Sequence, residues 1–553
     1  MRRLSAIVGA LLLCVGLMAV PASPQPRRVV QPDGTVVELY LHGDEYTHYV
    51  TDAAGRILRL SNGYYIPTGE QHTSRAPLAH RARRAKVSRP YRDIGHINIA
   101  PRGLFILVNF SDVQFRPENS PEDMDLMLNG DDYTYNGAIG SVRRYFIDQS
   151  NGTYNPQFDV VGPVTLAHEY AYYGENEDTD DANDRYIADF AMDACTAAEA
   201  LGVDFSLYDN DDDGVIDFVY FIYAGKGEAN GGDDYTIWPA SWDIESALTG
   251  DSHQSAYYVD YTEDPETGEI TVVDENLPQY GGVTLGAFAY SAELNSRDRR
   301  DGIGTLCHEF SHVLGLPDYY DIYYGANRRN RLTPGQWSLM DHGSYNGNGN
   351  LPPNWSAHDK YYVGWATPTL LCTTQDVTLP ADGQTYGYLT SDGTAASPTD
   401  TREVWYLENR QQTGWDAGLP GHGMLITKVT YDPEVWDANE PNSVEGVILY
   451  DVLVADGTHT DGDSGDPWPG TTGRTTFSDV AGYPLSDIAE VSGLITFHVE
   501  APEEPTSLET LTAGRDILGR YDLLGNRLPA TALRQTGLYI VQTTQRTYKI
   551  QVR

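Results

Sequence analysis

Hydrophobic and polar positions change rhythm several times along the chain, and each change marks an element. After an apolar start, Gln31–Tyr46 and Val50–Gly55 alternate in short runs broken by Asp-Gly and Gly-Asp turns, which predicts small hairpins. Gly103–Phe110 is almost continuously apolar, the pattern of a strand buried on both faces. A short helix is predicted from Ser141, followed by an extended return through Val160 and Val164. Between Asp184 and Leu201 the apolar residues Ile187, Phe190, Ala191, Ala194, Ala198 and Leu201 recur at helical spacing, and Gly202 stops the run. Asp217–Tyr223 predicts another buried strand, and we expect it to form the edge that pairs with an extended peptide.

The next helix is amphipathic in a particular way. Ile303, Leu306, Cys307, Phe310 and Leu314 form one stripe at about 100° per residue, while His308 and His312 point roughly the opposite way. Pro352–Trp365 predicts a further helix. From Leu371 to Glu500 the pattern turns to β, with apolar runs at Val404–Arg410, Gly423–Val429, Val447–Val454 and Leu494–Val499, and we expect a β-sandwich. Beyond a Pro/Glu-rich linker at Pro502–Pro505, three short strands with Gly turns fill Ile517–Arg553.

Composition narrows the classes. At 553 residues the chain has room for several domains, and 40% apolar content supplies packed cores. A formal charge of −42 argues against nucleic acid or an anionic membrane surface as partner, since both call for positive charge. Arg2, Arg3, the apolar run Ala6–Val20 and the small residues around Val20-Pro21-Ala22 read as a signal peptide, and no later stretch is long and apolar enough to span a bilayer. Without Cys14, which lies in that leader, Cys195, Cys307 and Cys372 permit at most one internal disulfide.

The chemistry sits in Thr305–Asp321. Residues four apart on a helix lie one above the other, so His308 and His312 of H-E-F-S-H can reach one metal ion. A catalytic zinc takes three protein ligands and leaves one position for water, whose proton Glu309 is placed to accept. Gly315 can end the helix in a left-handed turn and send the chain back toward the metal, bringing Asp318, six residues after His312, to complete the set. Asp321, Asp341 and His342 are the alternatives. Met340, in Trp337–Gly343, resembles the Met-turn beneath such sites. A second cluster, Asp209, Asp211 and Asp213 with the Val215 carbonyl and Asp217, offers oxygen ligands at alternate positions around Gly214. Five carboxylates in nine residues repel one another without a cation, so calcium is expected there. Tyr220 stands where an EF-hand places its closing Glu, so the loop is not an EF-hand. Gly462–Pro467 imitates the nucleophile segment of trypsin-like proteases, but no matching His-bearing segment lies upstream.

His308–Asp321 with W-S-L-M-D-H-G downstream resembles the immune-inhibitor-A-like secreted metallopeptidases, whose extended motif is H-E-x-x-H-x-x-G-x-x-D. The resemblance implies a multidomain protein: an α+β zincin-like catalytic domain, then a β-sandwich accessory domain and a small β module at the C-terminus. The corresponding boundaries are 1–22 for the signal peptide, 23–92 for a propeptide ending in an arginine-rich stretch, 93–370, 371–500 and 501–553. The stretch Arg75–Arg92 is expected to be a processing site, and the absence of Cys between residues 23 and 100 rules out latency through a propeptide thiolate. The tail resembles the sorting domains read by the type IX secretion machinery. The function implied is a secreted zinc-dependent endopeptidase, made as a zymogen, acting on polypeptides. The competing class, a surface adhesin with a structural zinc, predicts a damaged ligand set, and the motif shows no damage.

Overall fold

The computed structural model describes residues 18–43, 48–69, 101–176, 184–233, 235–248, 253–254, 256–263, 270–321, 333–443, 447–460, 462–480, 482–502, 517–523, 525–529, 537–543 and 547–552. The arginine-rich stretch, and the leader before Met18, lie outside them. Among the described residues no helix is long and apolar enough to cross a membrane.

The centre is a six-stranded sheet in the order Met18–Ala19, Ala240–Asp243, Ala287–Leu294, Val219–Lys226, Arg102–Asn109 and Gln157–Thr165. The last four of these are parallel, whereas Met18–Ala19 and Ala240–Asp243 run antiparallel to their neighbours. Burial on both faces explains why the inner strands read as unbroken apolar runs. Leu104, Ile106 and Val108 join Val219, Phe221 and Tyr223 in a core that also holds Phe190, Ala191 and Ala194 of the helix Ile187–Ala200. Phe105 and Leu107, with Tyr220 and Ile222, face the opposite core, where Phe146 and the stripe Ile303, Leu306, Cys307, Phe310 and Leu314 are packed. Leu201, expected in the first core, follows the helix as its cap and is 64% exposed.

The strand order overturns one expectation. Val219–Lys226 lies inside the sheet, between Ala287–Leu294 and Arg102–Asn109, and has no open edge for a peptide. The short strand Ala240–Asp243 sits outermost of the core strands instead.

The helix Ile303–Val313 is pressed onto the loop that follows the Met-turn. A Cβ on Gly304 would lie 1.8 Å from the Ser344 carbonyl oxygen, and one on Gly302 would lie 2.1 Å from that of Gly349. Only hydrogen fits at either position. Farther along, the five-stranded sheet that includes Val404–Arg410 and Gly423–Val429 packs on both faces. Tyr406 and Val429 join the core around Phe310, while Trp405, Leu407 and Ile426 share a core with the three-stranded sheet of Gln375–Leu379, Leu485–Val491 and Leu494–Val499. Buried Arg410 ties the two regions together: its guanidinium holds Asp416 at 2.7 Å and donates to the Asn354 carbonyl at 3.2 Å. The N-terminal hairpins form a five-stranded antiparallel meander from Arg27–Val30 to Tyr64–Pro67, and the tail forms a three-stranded antiparallel sheet.

Two outcomes test this packing. Gly304→Ala should cost about 1–3 kcal/mol, read by urea denaturation, because the added methyl meets backbone rather than a movable side chain. Glu408, buried beside Arg410, is pushed by burial from 4.5 up to about 7. A carboxyl held as the neutral acid stabilises the fold at low pH and loses that contribution as pH rises through the folded value. Glu408→Gln should therefore be more stable than wild type near pH 8, by on the order of 2 kcal/mol, with the gap closing near pH 5.

Candidate metal centre

The helix Ile303–Val313 presents His308, Glu309 and His312, all fully buried. It ends as its Gly demands. Gly315 is left-handed at φ 90°, its amide donates to the His312 carbonyl at 2.8 Å, and the Leu316 amide donates to Ser311 at 3.2 Å. This is a Schellman ending, and it reverses the chain. Asp318 is thereby carried back under the helix, and the Tyr319 amide donates to the Met340 carbonyl at 2.9 Å.

Three donor atoms converge. His308 Nε2 lies 3.1 Å from His312 Nε2 and 3.1 Å from Asp318 Oδ1, and His312 Nε2 lies 3.5 Å from that oxygen. The far side of each ring fixes its tautomer. His308 Nδ1 faces the Leu339 carbonyl at 2.8 Å, and His312 Nδ1 faces that of Leu316 at 2.7 Å. A carbonyl oxygen can only accept, so each Nδ1 carries the proton and each Nε2 turns a lone pair inward. Burial pushes His312 well below the ordinary imidazole range, with His308 beside it adding to the effect, so its ring stays neutral. Two lone pairs and a carboxylate oxygen at these distances repel one another in a desolvated setting, whereas a divalent cation among them would be bound by all three. The donor set, two imidazole nitrogens and one carboxylate, fits zinc.

The alternatives for the third position are placed differently. Asp341 is used within the Met-turn, accepting from the Gly335 and His342 amides, each at 2.7 Å, and its oxygen lies 2.9 Å from His342 Nδ1. Among the described residues the clusters with metal-binding geometry are His308–His312–Asp318 and Asp209–Asp211–Asp213. In the second, Gly214 is left-handed, and the Asp209 carboxylate accepts from the amides of Asp213 and Gly214 at 3.0 and 2.8 Å. The Asp217 carboxylate accepts from the Asn210 side chain at 3.0 Å, and the bridge between Val215 and Thr284 is made by the Ile216 amide and the Gly214 carbonyl. Of the five positions read from the spacing, the structure brings three carboxylates together.

One functional residue escaped the sequence reading. Asn439 donates to Asp318 Oδ2 at 2.7 Å and accepts from the Asp318 amide at 2.6 Å, gripping that residue from 121 positions away. It follows the helix Pro433–Asp437, whose amides are capped by Asp432, and it takes the left-handed conformation at φ 60° that Asn tolerates. A left-handed Asn after a Pro-started helix is the signal that was there to read.

Above the helix, residues Met18–Ser23 run through the cleft. The Val20 amide lies 3.2 Å from Glu309 Oε1, and the Tyr345 hydroxyl donates to the Pro21 carbonyl at 2.7 Å. Tyr319, the other tyrosine near the motif, donates instead to Asp359 at 2.8 Å.

Comparison with known proteins agrees with the motif. Residues 104–366 match the family model of the immune inhibitor A peptidase M6 catalytic domain. Immune inhibitor A of Bacillus thuringiensis subsp. alesti is 28% identical over 297 residues, covering 49% of this chain and 38% of the relative. The pre-pro-metalloprotease PrtV of Vibrio cholerae serotype O1 is 25% identical over 261 residues, covering 43% of this chain and 25% of the relative. The chain thus spans well under half the length of these relatives. The match and the relatives support the peptidase M6 (immune inhibitor A) family for this region.

Loss of the clamp should be felt at the metal. Asn439→Ala is expected to weaken zinc binding about 10–100-fold, measured by chelator competition, and by linkage to lower the unfolding temperature of the metal-loaded protein.

Proposed function

We propose that the chain is a secreted zinc-dependent endopeptidase, made as a zymogen. One observation carries the reading: His308, His312 and Asp318 converge within 3.5 Å, and Glu309 stands on the same helix next to them. When bound there, zinc supplies Lewis-acid polarisation of a carbonyl group and of a water molecule. The chain's own groups do the rest. Leu339 and Leu316 hold both rings in the tautomer that ligates, and Asn439 fixes the rotation of Asp318. Glu309 takes the proton from the attacking water and delivers it to the leaving amine. Met340, fully buried beneath the site, keeps the turn that carries Leu339 in place.

The remaining roles follow from the same reading. The Asp209–Asp211–Asp213 loop is a calcium site with a structural role, supported by the clustering of its three carboxylates. Arg75–Arg92 is where a processing protease cuts, and the tail sheet is a type IX sorting signal. Polypeptides are the substrates.

Zinc content and casein hydrolysis of the processed protein, wild type beside Glu309→Ala, test the core of this proposal. Wild type should hold about one tightly bound zinc and hydrolyse casein. The variant should keep the metal and lose activity by about 10²–10⁴-fold. Full zinc occupancy in both, with neither cleaving any protein offered, would overturn the peptidase reading and leave a metal with a structural role.

A further inference from the structure

Residues Met18–Ser23 are gripped along their backbone. Met18 and Ala19 pair antiparallel with Ser241 and Ala240 of the outer strand. After Ala19 the pairing stops and the cleft takes over. The Val20 amide donates to Glu309 Oε1 at 3.2 Å, and the Val20 carbonyl accepts from Trp238 Nε1 at 3.2 Å. The Pro21 carbonyl accepts from the Tyr345 hydroxyl at 2.7 Å. The Ala22 amide donates to the Gly43 carbonyl at 2.9 Å, and the Ser23 amide to that of Ala229 at 3.1 Å. Val20 and Ala22 are 1% and 4% exposed, within the apolar cluster that holds Trp238, Ala240 and Trp242.

The position of the Val20 nitrogen is the informative one. A carboxylate that passes a proton to a leaving amine must sit within hydrogen-bond distance of the nitrogen that leaves. In a polypeptide that nitrogen belongs to the residue just after the bond being cut. Glu309 Oε1 stands at that distance from the Val20 nitrogen, which aligns the Ala19–Val20 bond with the proton-delivering carboxylate. The surrounding contacts suit such a role. Strand pairing before the bond, and side-chain donors to two successive carbonyls after it, fix direction and register through main-chain groups that any sequence possesses. Selectivity is then left to the buried side-chain position, which Val20 fills.

We propose that the cleft takes extended polypeptide in the direction and register of Met18–Ser23, and that it selects bonds with a small branched aliphatic residue after the cut. The inference rests on the peptidase reading above. In the reaction, the oxygen of one water molecule bonds to the Ala19 carbonyl carbon and the carbon–nitrogen bond breaks. The Val20 nitrogen accepts a proton, leaving a carboxylate on Ala19 and a new amino terminus at Val20. Trp238 and Tyr345 act as positioning residues, holding the chain on the side of the bond that departs.

The test offers the processed protein, in a preparation that hydrolyses casein, a synthetic peptide of residues 16–25 and the same peptide carrying Val20→Asp. Mass spectrometry should show a single cut between Ala19 and Val20, with the Val20→Asp peptide cut at least tenfold more slowly. Casein cleaved while the peptide stays whole, is cut at another bond, or is cut equally fast with Asp at position 20 would overturn the proposed register and selectivity and leave the peptidase reading standing. Neither casein nor peptide cleaved would remove the peptidase reading, and this inference with it.

Discussion

Three electron-rich atoms held within 3.5 Å of one another, away from water, are the constraint that organises this protein. Such a set is stable only when every contributing side chain is prevented from turning away or picking up a proton. The structure answers at each member. Backbone carbonyls hold the two rings from behind, and an asparagine side chain with its own twofold grip holds the carboxylate. The helix itself cannot retreat, because its opening glycines touch backbone and its apolar stripe is locked into the core around Phe310.

The central sheet supplies the rigidity behind this arrangement. Its inner strands bury side chains on both faces, so the motif helix lies against a wall that is backed by the helix Ile187–Ala200 on the other side. The outer strand is different. Ala240–Asp243 is short, lies antiparallel to Ala287–Leu294, and leaves its far edge to whatever lies in the cleft. Rigid ligands and an available edge thus sit side by side, which is the combination a peptide-cleaving site requires.

How far the sequence could be read depended on whether a feature was local. The motif helix, its apolar stripe and the turn at Gly315 follow from spacing over a dozen residues, and the structure shows the helix at Ile303–Val313 with Gly315 left-handed. The two-faced strand Arg102–Asn109 was equally plain, because burial on both sides is the simplest explanation of its apolar run. What the pattern could not convey was arrangement at a distance. Val219–Lys226 looks like any buried strand, and nothing within it says whether its neighbours leave an edge open. Asn439 is one polar residue in a loop until the fold brings it against Asp318. In the acidic loop the spacing suggested five ligands, and the fold brings the carboxylates of Asp209, Asp211 and Asp213 together. The apolar pattern ending at Val20-Pro21-Ala22 likewise carries no sign that Val20 and Ala22 are buried against Trp238 and Ala240.

The grip of Asn439 on Asp318 also bears on how this molecule can be divided. A cut near residue 370, where the composition turns to β, would place the clasp and the carboxylate it holds on separate fragments, yet they meet at 2.6 and 2.7 Å. A fragment ending there would retain the whole linear motif while missing the piece that aims its carboxylate. Aiming that carboxylate therefore takes more of the chain than the stretch that bears the motif, and the β-rich portion supplies the missing hand.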